Sequence, residues 1–128
     1  MAEFEDRTRV QASADAVFGY VSDPAHLTEY VPDMTAAERR GGDLRVAAEV
    51  EGRHEEGSAS FRPDPDRRRI EWASADGSGY RGWLAIDGRD GSADVTIHLS
   101  THIDADADLI RSSLRTALGN IRSRVEAR

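Results

Sequence analysis

Apolar residues near the N-terminus switch from an extended spacing to a helical one. Residues 2–11 end in an extended-looking segment and predict a first strand. Ser13 follows as a good helix N-cap, and the positions after it predict a helix over Ala14–Val21. The apolar side of this helix is formed by Val17, Phe18 and Val21.

A proline then interrupts the helical pattern. The pair Asp23-Pro24 ends the first helix, because the residue before a proline disfavours the helical conformation. The next apolar positions predict a second short helix that ends at Pro32, and its apolar residues are Leu27, Tyr30 and Val31.

Between residues 34 and 103 the pattern changes to short alternating segments separated by Gly, Asp and Pro, which predicts about six strands of an antiparallel meander. In the clearest segment, residues 44–51, one face carries Leu44, Val46, Ala48 and Val50. In the last segment one face carries Ala93, Val95, Ile97 and Leu99. The opposite faces are largely polar, so one face of the predicted sheet is expected to be exposed to solvent.

The last quarter of the chain, residues 104–128, predicts a long terminal helix. Its single apolar stripe consists of Ile110, Leu114, Ala117, Leu118, Ile121 and Val125. There is no internal repeat and no linker long enough to separate two domains, so we expect one α+β domain over residues 1–128.

Composition removes several classes of chemistry. The chain has 0 cysteines and no lysine among its 17 basic residues, which excludes a thiolate nucleophile, a cysteine-ligated zinc and a Schiff-base lysine. A net charge of −7 argues against nucleic acid or an anionic membrane as the main partner. The first nine residues mix acidic and basic side chains and do not match a secretory or transit peptide, so we expect a cytoplasmic protein.

The segment 12–32 resembles the opening of polyketide cyclase/dehydrase-like proteins of the START (SRPBCC) superfamily, in which a capped helix precedes an Asp-Pro break, a Leu, an aromatic residue and a Pro. Further matches are the Asp-Pro turn before residues 68–70, the turn at 90–92 and Glu126, so the resemblance covers nearly the whole chain. It implies the helix-grip fold, a curved antiparallel sheet around a long C-terminal helix, with two short helices after the first strand.

The resemblance also implies a ligand site between the sheet and the terminal helix. Strand parity and the helix stripe nominate as ligand-binding residues Val46, Val50, His54, Phe61, Trp72, Tyr80, Leu84, Ile97, Leu114 and Leu118, with Val95, Leu99, Ile110 and Ile121 beside them. The alternative is a filled core. An empty cavity of about 300 Å³ would cost roughly 7 kcal/mol, so this space should be collapsed, hydrated or occupied.

Two polar residues are candidates for catalysis. His54 points inward if the parity of Val46 and Val50 continues through Gly52, but moves to the surface if the hairpin turns there. Tyr80 shares the parity of the inward residues and would complete an acid–base pair with His54. Trp83 would point outward, as a bulge marker or as an aromatic contact in a homodimer.

Other suggestive patterns fail on geometry. His98 and His102 lie about 13 Å apart on a strand, too far to share one metal ion. The acidic run 104–108 lacks the later glycine and glutamate of a calcium loop, and the glycine-rich run 77–82 has no helix after it to hold a dinucleotide. The arginines at 67–69 can pair with strand glutamates. We expect no bound metal and no cofactor.

The sequence thus predicts a domain that binds a small hydrophobic or amphipathic ligand, without nucleic acid or membrane partners and with a possible homodimer. Two alternatives stay open. One is a cofactor-independent cyclase or dehydratase, and the other is a protein-interaction module with a filled core.

Overall fold

A computed structural model describes residues 2–50, 52–75, 79–101 and 106–128, without the side chain of Val50. The elements follow in the order β1 (Ala2–Val10), α1 (Ala14–Val21), a 3-10 turn (Pro24–His26), α2 (Leu27–Tyr30), β2 (Met34–Arg40), β3 (Asp43–Val50), β4 (Arg53–Asp64), β5 (Arg69–Ser74), β6 (Arg81–Arg89), β7 (Ser92–Thr101) and α3 (Ala107–Glu126). The seven strands form one antiparallel sheet in the order β1-β7-β6-β5-β4-β3-β2. The predicted helix-grip architecture is confirmed, including six strands between the short helices and α3.

Local side-chain contacts explain the two short helices. The hydroxyl of Ser13 accepts a hydrogen bond from the amide of Ala16 at 3.1 Å and so caps α1. The carboxylate of Asp23 accepts from the amide of Ala25 at 2.9 Å, and Pro24 occupies the first position of the 3-10 turn, where no amide donor is needed. The Asp-Pro pair therefore ends α1 and begins the 3-10 turn that leads into α2.

Two tyrosines fasten these helices together. The hydroxyl of Tyr30 donates to the carbonyl oxygen of Val21 at 2.9 Å, and that of Tyr20 donates to Glu29 at 2.8 Å. The side-chain amide of Asn120 in α3 donates to the carbonyl oxygen of Tyr30 at 3.3 Å. Because the Tyr30 side chain is buried, its hydroxyl must have such a partner, and this bond holds α2 against the end of α1.

The sheet has two chemically different faces. The inner face carries buried residues such as Phe4, Leu84 and Ile97 and is covered by α3. The outer face carries the alternate residues, including Trp83 and His98, which pair directly across β6 and β7. The α3 residues packed into the inner-face core are Leu114, Ala117, Leu118, Ile121 and Val125. This is the one-sided burial that the alternation along β7 predicts.

The start of α3 differs from the prediction. The helix begins at Ala107, and the carboxylate of Asp106 accepts hydrogen bonds from the amides of Asp108 and Leu109 at 2.9 and 3.4 Å. Asp106 is thus an N-cap within the acidic run rather than a residue of the helix. Residues 102–105, which include His102, and residues 76–78 of the glycine-rich run lie outside the described part of the chain.

Within the described ranges, no helix combines the length and the hydropathy needed to cross a bilayer.

Candidate ligand-binding site

Most of the nominated apolar residues lie on the inner face as parts of one packed core. Phe61, Leu84, Ile97, Leu114 and Leu118 are each no more than 5% exposed and belong to a single cluster of buried side chains. The deep part of the space between sheet and α3 is therefore filled by this chain's own side chains. Val46 lies at the margin of this core and is half-buried, and the side chain of Val50 is outside the description.

The inner face is less completely covered near the start of α3. Trp72, Leu99 and Ile110 pack against the core but stay partly exposed. Trp72 and Leu99 lie on either side of Gly82, since Gly82 pairs with Trp72 on β5 and with Leu99 on β7. The guanidinium of Arg111 lies 5.5 Å from the ring of Phe4, which is the cross-strand partner of Leu99. The first turns of α3 therefore border this apolar group, which we call the open end.

Gly82 makes room for Trp72 at the open end. A Cβ atom at Gly82 would stand 2.7 Å from Cζ2 of Trp72 and 2.8 Å from Cδ2 of Leu99, well inside van der Waals contact. Only a glycine at this position lets the indole lie against the backbone of β6. Trp72 thus occupies inner-face space that a ligand could take if the indole moved.

Tyr80 is the polar residue of the open end. Its side chain is hydrogen-bonded to that of Trp72, and desolvation by burial raises the pKa of its phenol although that bond opposes the rise. The residue as a whole is 39% exposed, so Tyr80 lies at the boundary between the core and solvent. The phenol therefore stays protonated at neutral pH.

The predicted inward orientation of His54 is wrong. The β3–β4 hairpin turns at Gly52, which has a φ of +77°, and Val50 pairs with Arg53. His54 therefore pairs with Glu49 and shares the outer face with it, with 53% of its side chain exposed. Its Nδ1 atom lies 2.8 Å from the Glu49 carboxylate, and this hydrogen bond raises the pKa of His54.

His54 and Tyr80 consequently cannot form the expected acid–base pair. His54 lies on the outer face, whereas Tyr80 is hydrogen-bonded to Trp72 at the open end of the inner face. The sheet separates the two side chains.

Trp83 points outward as predicted, but its partners belong to the same chain. Its ring stacks on that of His98 with a centroid distance of 5.3 Å and an interplanar angle of 6°, and the guanidinium of Arg69 lies 4.4 Å from the ring centroid. The two ring nitrogens of His98 face different carboxylates, Glu5 at 3.1 Å and Glu3 at 3.3 Å. The sequence did not reveal this cluster, because it depends on the register of four strands.

Two pockets in the described part of the chain lie outside the space between the sheet and α3. The larger has a volume of about 590 Å³ and is lined mainly by outer-face residues of β4 to β7. The smaller, about 370 Å³, lies beside β1 and is lined by Glu5, Asp6, Arg7 and Thr96. Among the described residues, no group of three His, Asp or Glu side chains is placed to hold a metal ion.

The fold and the open end together define a helix-grip domain with an apolar inner face. Residues 1–126 match the sequence profile of the family described as polyketide cyclase / dehydrase and lipid transport, and the chain belongs to this family. A comparison of the sequence with curated proteins finds no match.

Several solved structures share the whole fold at low sequence identity. A protein of Thermus thermophilus is 17% identical, with a TM-score of 0.83 and coverage of 98% of both chains. A START superfamily protein of Mycobacterium smegmatis is 15% identical, with a TM-score of 0.72 and coverage of 98% of this chain and 94% of that one. The ZhuI aromatase/cyclase of a Streptomyces species is 18% identical, with a TM-score of 0.72 and coverage of 99% and 94%. At these identities the likeness establishes the fold alone.

Proposed function

We propose that this protein binds a small hydrophobic or amphipathic molecule at the open end of the inner face. The observation that carries the proposal is the incomplete burial of Trp72, Leu99 and Ile110, three apolar side chains that pack against the buried core on its inner-face side. Apolar surface left at the edge of a core is stabilised when a ligand removes it from water, at about 25 cal/mol per Å².

The ligand would enter by displacing Trp72. The indole rests over Gly82, where no side chain of β6 competes for the space. Rotation of Trp72 would expose the Gly82 backbone and the flank of Leu99, so that an acyl chain or a fused aromatic ring could occupy the volume that the indole leaves. Deeper entry is opposed by the packed residues Leu84 and Leu118.

Two polar groups would orient an amphipathic ligand. The protonated phenol of Tyr80 can donate a hydrogen bond to a ligand carbonyl once Trp72 has moved. Arg111 lies at the start of α3, next to Ile110, with 64% of its side chain exposed, and its guanidinium contacts Asp108 at 3.8 Å as well as the ring of Phe4. Its guanidinium can meet a carboxylate head group at the rim of the site.

Cyclase or dehydratase activity is a second candidate, supported by the family and by the Tyr80 phenol. His54 has no part in this version, because it lies on the outer face. Tyr80 would act alone as a proton donor to a carbonyl oxygen of an oriented chain. A Tyr80→Phe variant that keeps ligand affinity but loses turnover of an aromatic polyketide substrate would support this candidate, and unchanged turnover would remove it.

The binding proposal can be tested by calorimetric titration with lauric acid and with anthracene-9-carboxylic acid. We expect binding of at least one probe, weakened roughly tenfold or more by Ile110→Glu, because a charge in an apolar contact must be desolvated. Ser112→Glu adds the same charge about 200° further around α3 and should leave affinity unchanged. No binding of either probe to folded protein would contradict the proposal and favour an interaction module with a filled core.

A further inference from the structure

The outer face of the sheet contains a trough that the inner-face site does not explain. It is the pocket of about 590 Å³, and its lining includes Ser60, Arg62, Ala73, Arg81, Trp83 and Ser100. These residues alternate with inner-face residues such as Trp72 and Leu84, so the trough opens on the side of the sheet opposite α3.

Small side chains create the trough. Ser60 pairs with Ala73, Ala73 with Arg81, and Arg81 with Ser100, so three of the four residues in this cross-strand row are small. The adjacent row carries large side chains, among them Trp83. Trp83 forms one side of the trough. Its ring contacts His98 on β7 and Arg69 on β5, so its position is supported from both neighbouring strands.

The trough is lined by two carboxylates and two guanidinium groups, and within the described part of the chain only the carboxylates have ion-pair partners. The carboxylate of Glu71 lies 3.4 Å from Arg69, and that of Glu3 lies 3.3 Å from both His98 and Ser100. The two arginines that line the trough, Arg62 and Arg81, form no ion pair within the described part of the chain. The acidic groups are therefore already engaged, whereas two guanidinium groups are available to a guest.

The two arginines are spaced to approach one anion. In the strand register, Arg62 on β4 lies opposite Glu71 on β5, and Glu71 lies opposite Trp83 on β6. Arg81 lies two residues before Trp83 on β6. Two strand spacings across and two residues along the sheet place their Cα atoms about 12 Å apart. Because arginine side chains are long, the guanidinium groups of Arg62 and Arg81 can both reach one anionic group that lies over Ala73.

We propose that this trough is a second ligand site, which takes a small organic anion through a carboxylate or phosphate group held between Arg62 and Arg81. Planar guanidinium groups bind such oxyanions with paired hydrogen bonds. The side chains of Ser60 and Ser100 line the same space and leave room for the bound group. The edge of Trp83 limits the width of the bound molecule. Trp72 and Gly82 also border the trough, but Arg62 and Arg81 project from the sheet face opposite the open end, so the two sites can be tested separately.

Trp83 supplies the readout for a test. The chain has 2 tryptophans, so Trp72→Phe leaves Trp83 as the sole tryptophan fluorophore of an otherwise full-length protein. This protein is titrated with inorganic phosphate and, separately, with benzoate at constant ionic strength, and calorimetry follows the same titrations on the unmodified chain. We expect a saturable response to at least one of the two anions.

Matched variants decide whether the response comes from the trough. The double change Arg62→Gln and Arg81→Gln should weaken binding roughly tenfold or more. Ala73→Leu should also weaken anion binding, since the larger side chain fills the bottom of the trough without changing its charge. Arg45→Gln removes an exposed arginine of the outer face outside the trough and should have no effect. A response that does not saturate, or that Arg45→Gln weakens equally, would overturn the proposal.

Discussion

The indole of Trp72 lies directly over Gly82, so close that a methyl group on Gly82 would stand 2.7 Å from Cζ2 of the indole. The same methyl group would be closer still to the backbone carbonyl oxygen of His98. A single glycine thus lets a large aromatic residue lie at the open end of the inner face. The proposed ligand site depends on this arrangement, because the indole packs against the core but remains partly exposed.

Gly82→Ala should therefore destabilise the protein by about 1–3 kcal/mol, since neither the indole nor the β7 backbone can accommodate the new methyl group without shifting. The measurement is urea unfolding of wild type and variant. Gly57→Ala is the matched control, because Gly57 also lies within a strand but a Cβ atom there meets nothing within 4 Å. Equal stability of Gly82→Ala and Gly57→Ala would show that Trp72 does not pack tightly against the β6 backbone.

Tyr30→Phe should cost about 1–3 kcal/mol of unfolding free energy, because it removes the only hydroxyl donor to the carbonyl of Val21 within the described hydrogen bonds and leaves a buried acceptor behind. Urea unfolding measures the loss. Thr28→Ala, at an exposed position of the same short helix, should change stability much less. A neutral Tyr30→Phe would mean that the bond between α2 and α1 contributes little.

Tyr20 predicts a loss of stability at alkaline pH. Burial, together with the hydrogen bond that the Tyr20 hydroxyl donates to Glu29, raises the pKa of Tyr20 from 10.0 to about 12. The contribution of the protonated Tyr20 hydroxyl to the free energy of unfolding is complete below pH 10.0 and falls as pH rises toward 12, because Tyr20 loses its proton at lower pH in the unfolded state than in the folded state. Tyr20→Phe should reduce this alkaline loss in urea unfolding series collected across that interval. An identical pH profile for variant and wild type would show that the Tyr20 hydroxyl is not the source of the alkaline loss.

The corrected position of His54 has its own test. The hydrogen bond to Glu49 holds the pKa of His54 above 6.5, so its imidazolium stabilises the fold below that pH, and the contribution disappears as pH rises through the folded value. In an NMR titration, Glu49→Gln should lower the pKa of His54 toward 6.5. Glu38→Gln, at an exposed carboxylate that instead pairs with Arg40, should leave it unchanged. An insensitive His54 would restore the inward orientation as an alternative.

Elements that depend on local chemistry could be read from the sequence. The bounds of α1 follow from the Ser13 cap and the Asp23-Pro24 break, and both act within a few residues of the helix they define. The faces of β7 follow from simple alternation, since every second residue from Ala93 is apolar.

The site could be predicted only in part, because it depends on how distant strands pair. A two-residue turn reverses the parity of the following strand, so the turn at Gly52 places His54 on the other face. The outer-face trough requires Ser60, Ala73 and Ser100 to fall in one row across four strands. Such a row cannot be recognised in the sequence, because its residues come from different strands and are many positions apart. The stacking of Trp83 on His98 was missed for the same reason.

The central claim, that a ligand binds beside Trp72 between the sheet and α3, is tested most directly by fluorine NMR of protein labelled with 5-fluorotryptophan. The 2 tryptophans give two signals, and Trp72→Phe and Trp83→Phe assign them. The titration with lauric acid or anthracene-9-carboxylic acid is carried out on the Arg62→Gln, Arg81→Gln protein, in which the outer-face trough has lost its two guanidinium groups, and we expect a saturable shift of the Trp72 signal and a Trp83 signal that stays in place. A Trp72 signal that does not move at saturating probe, or a shift confined to Trp83, would contradict the claim.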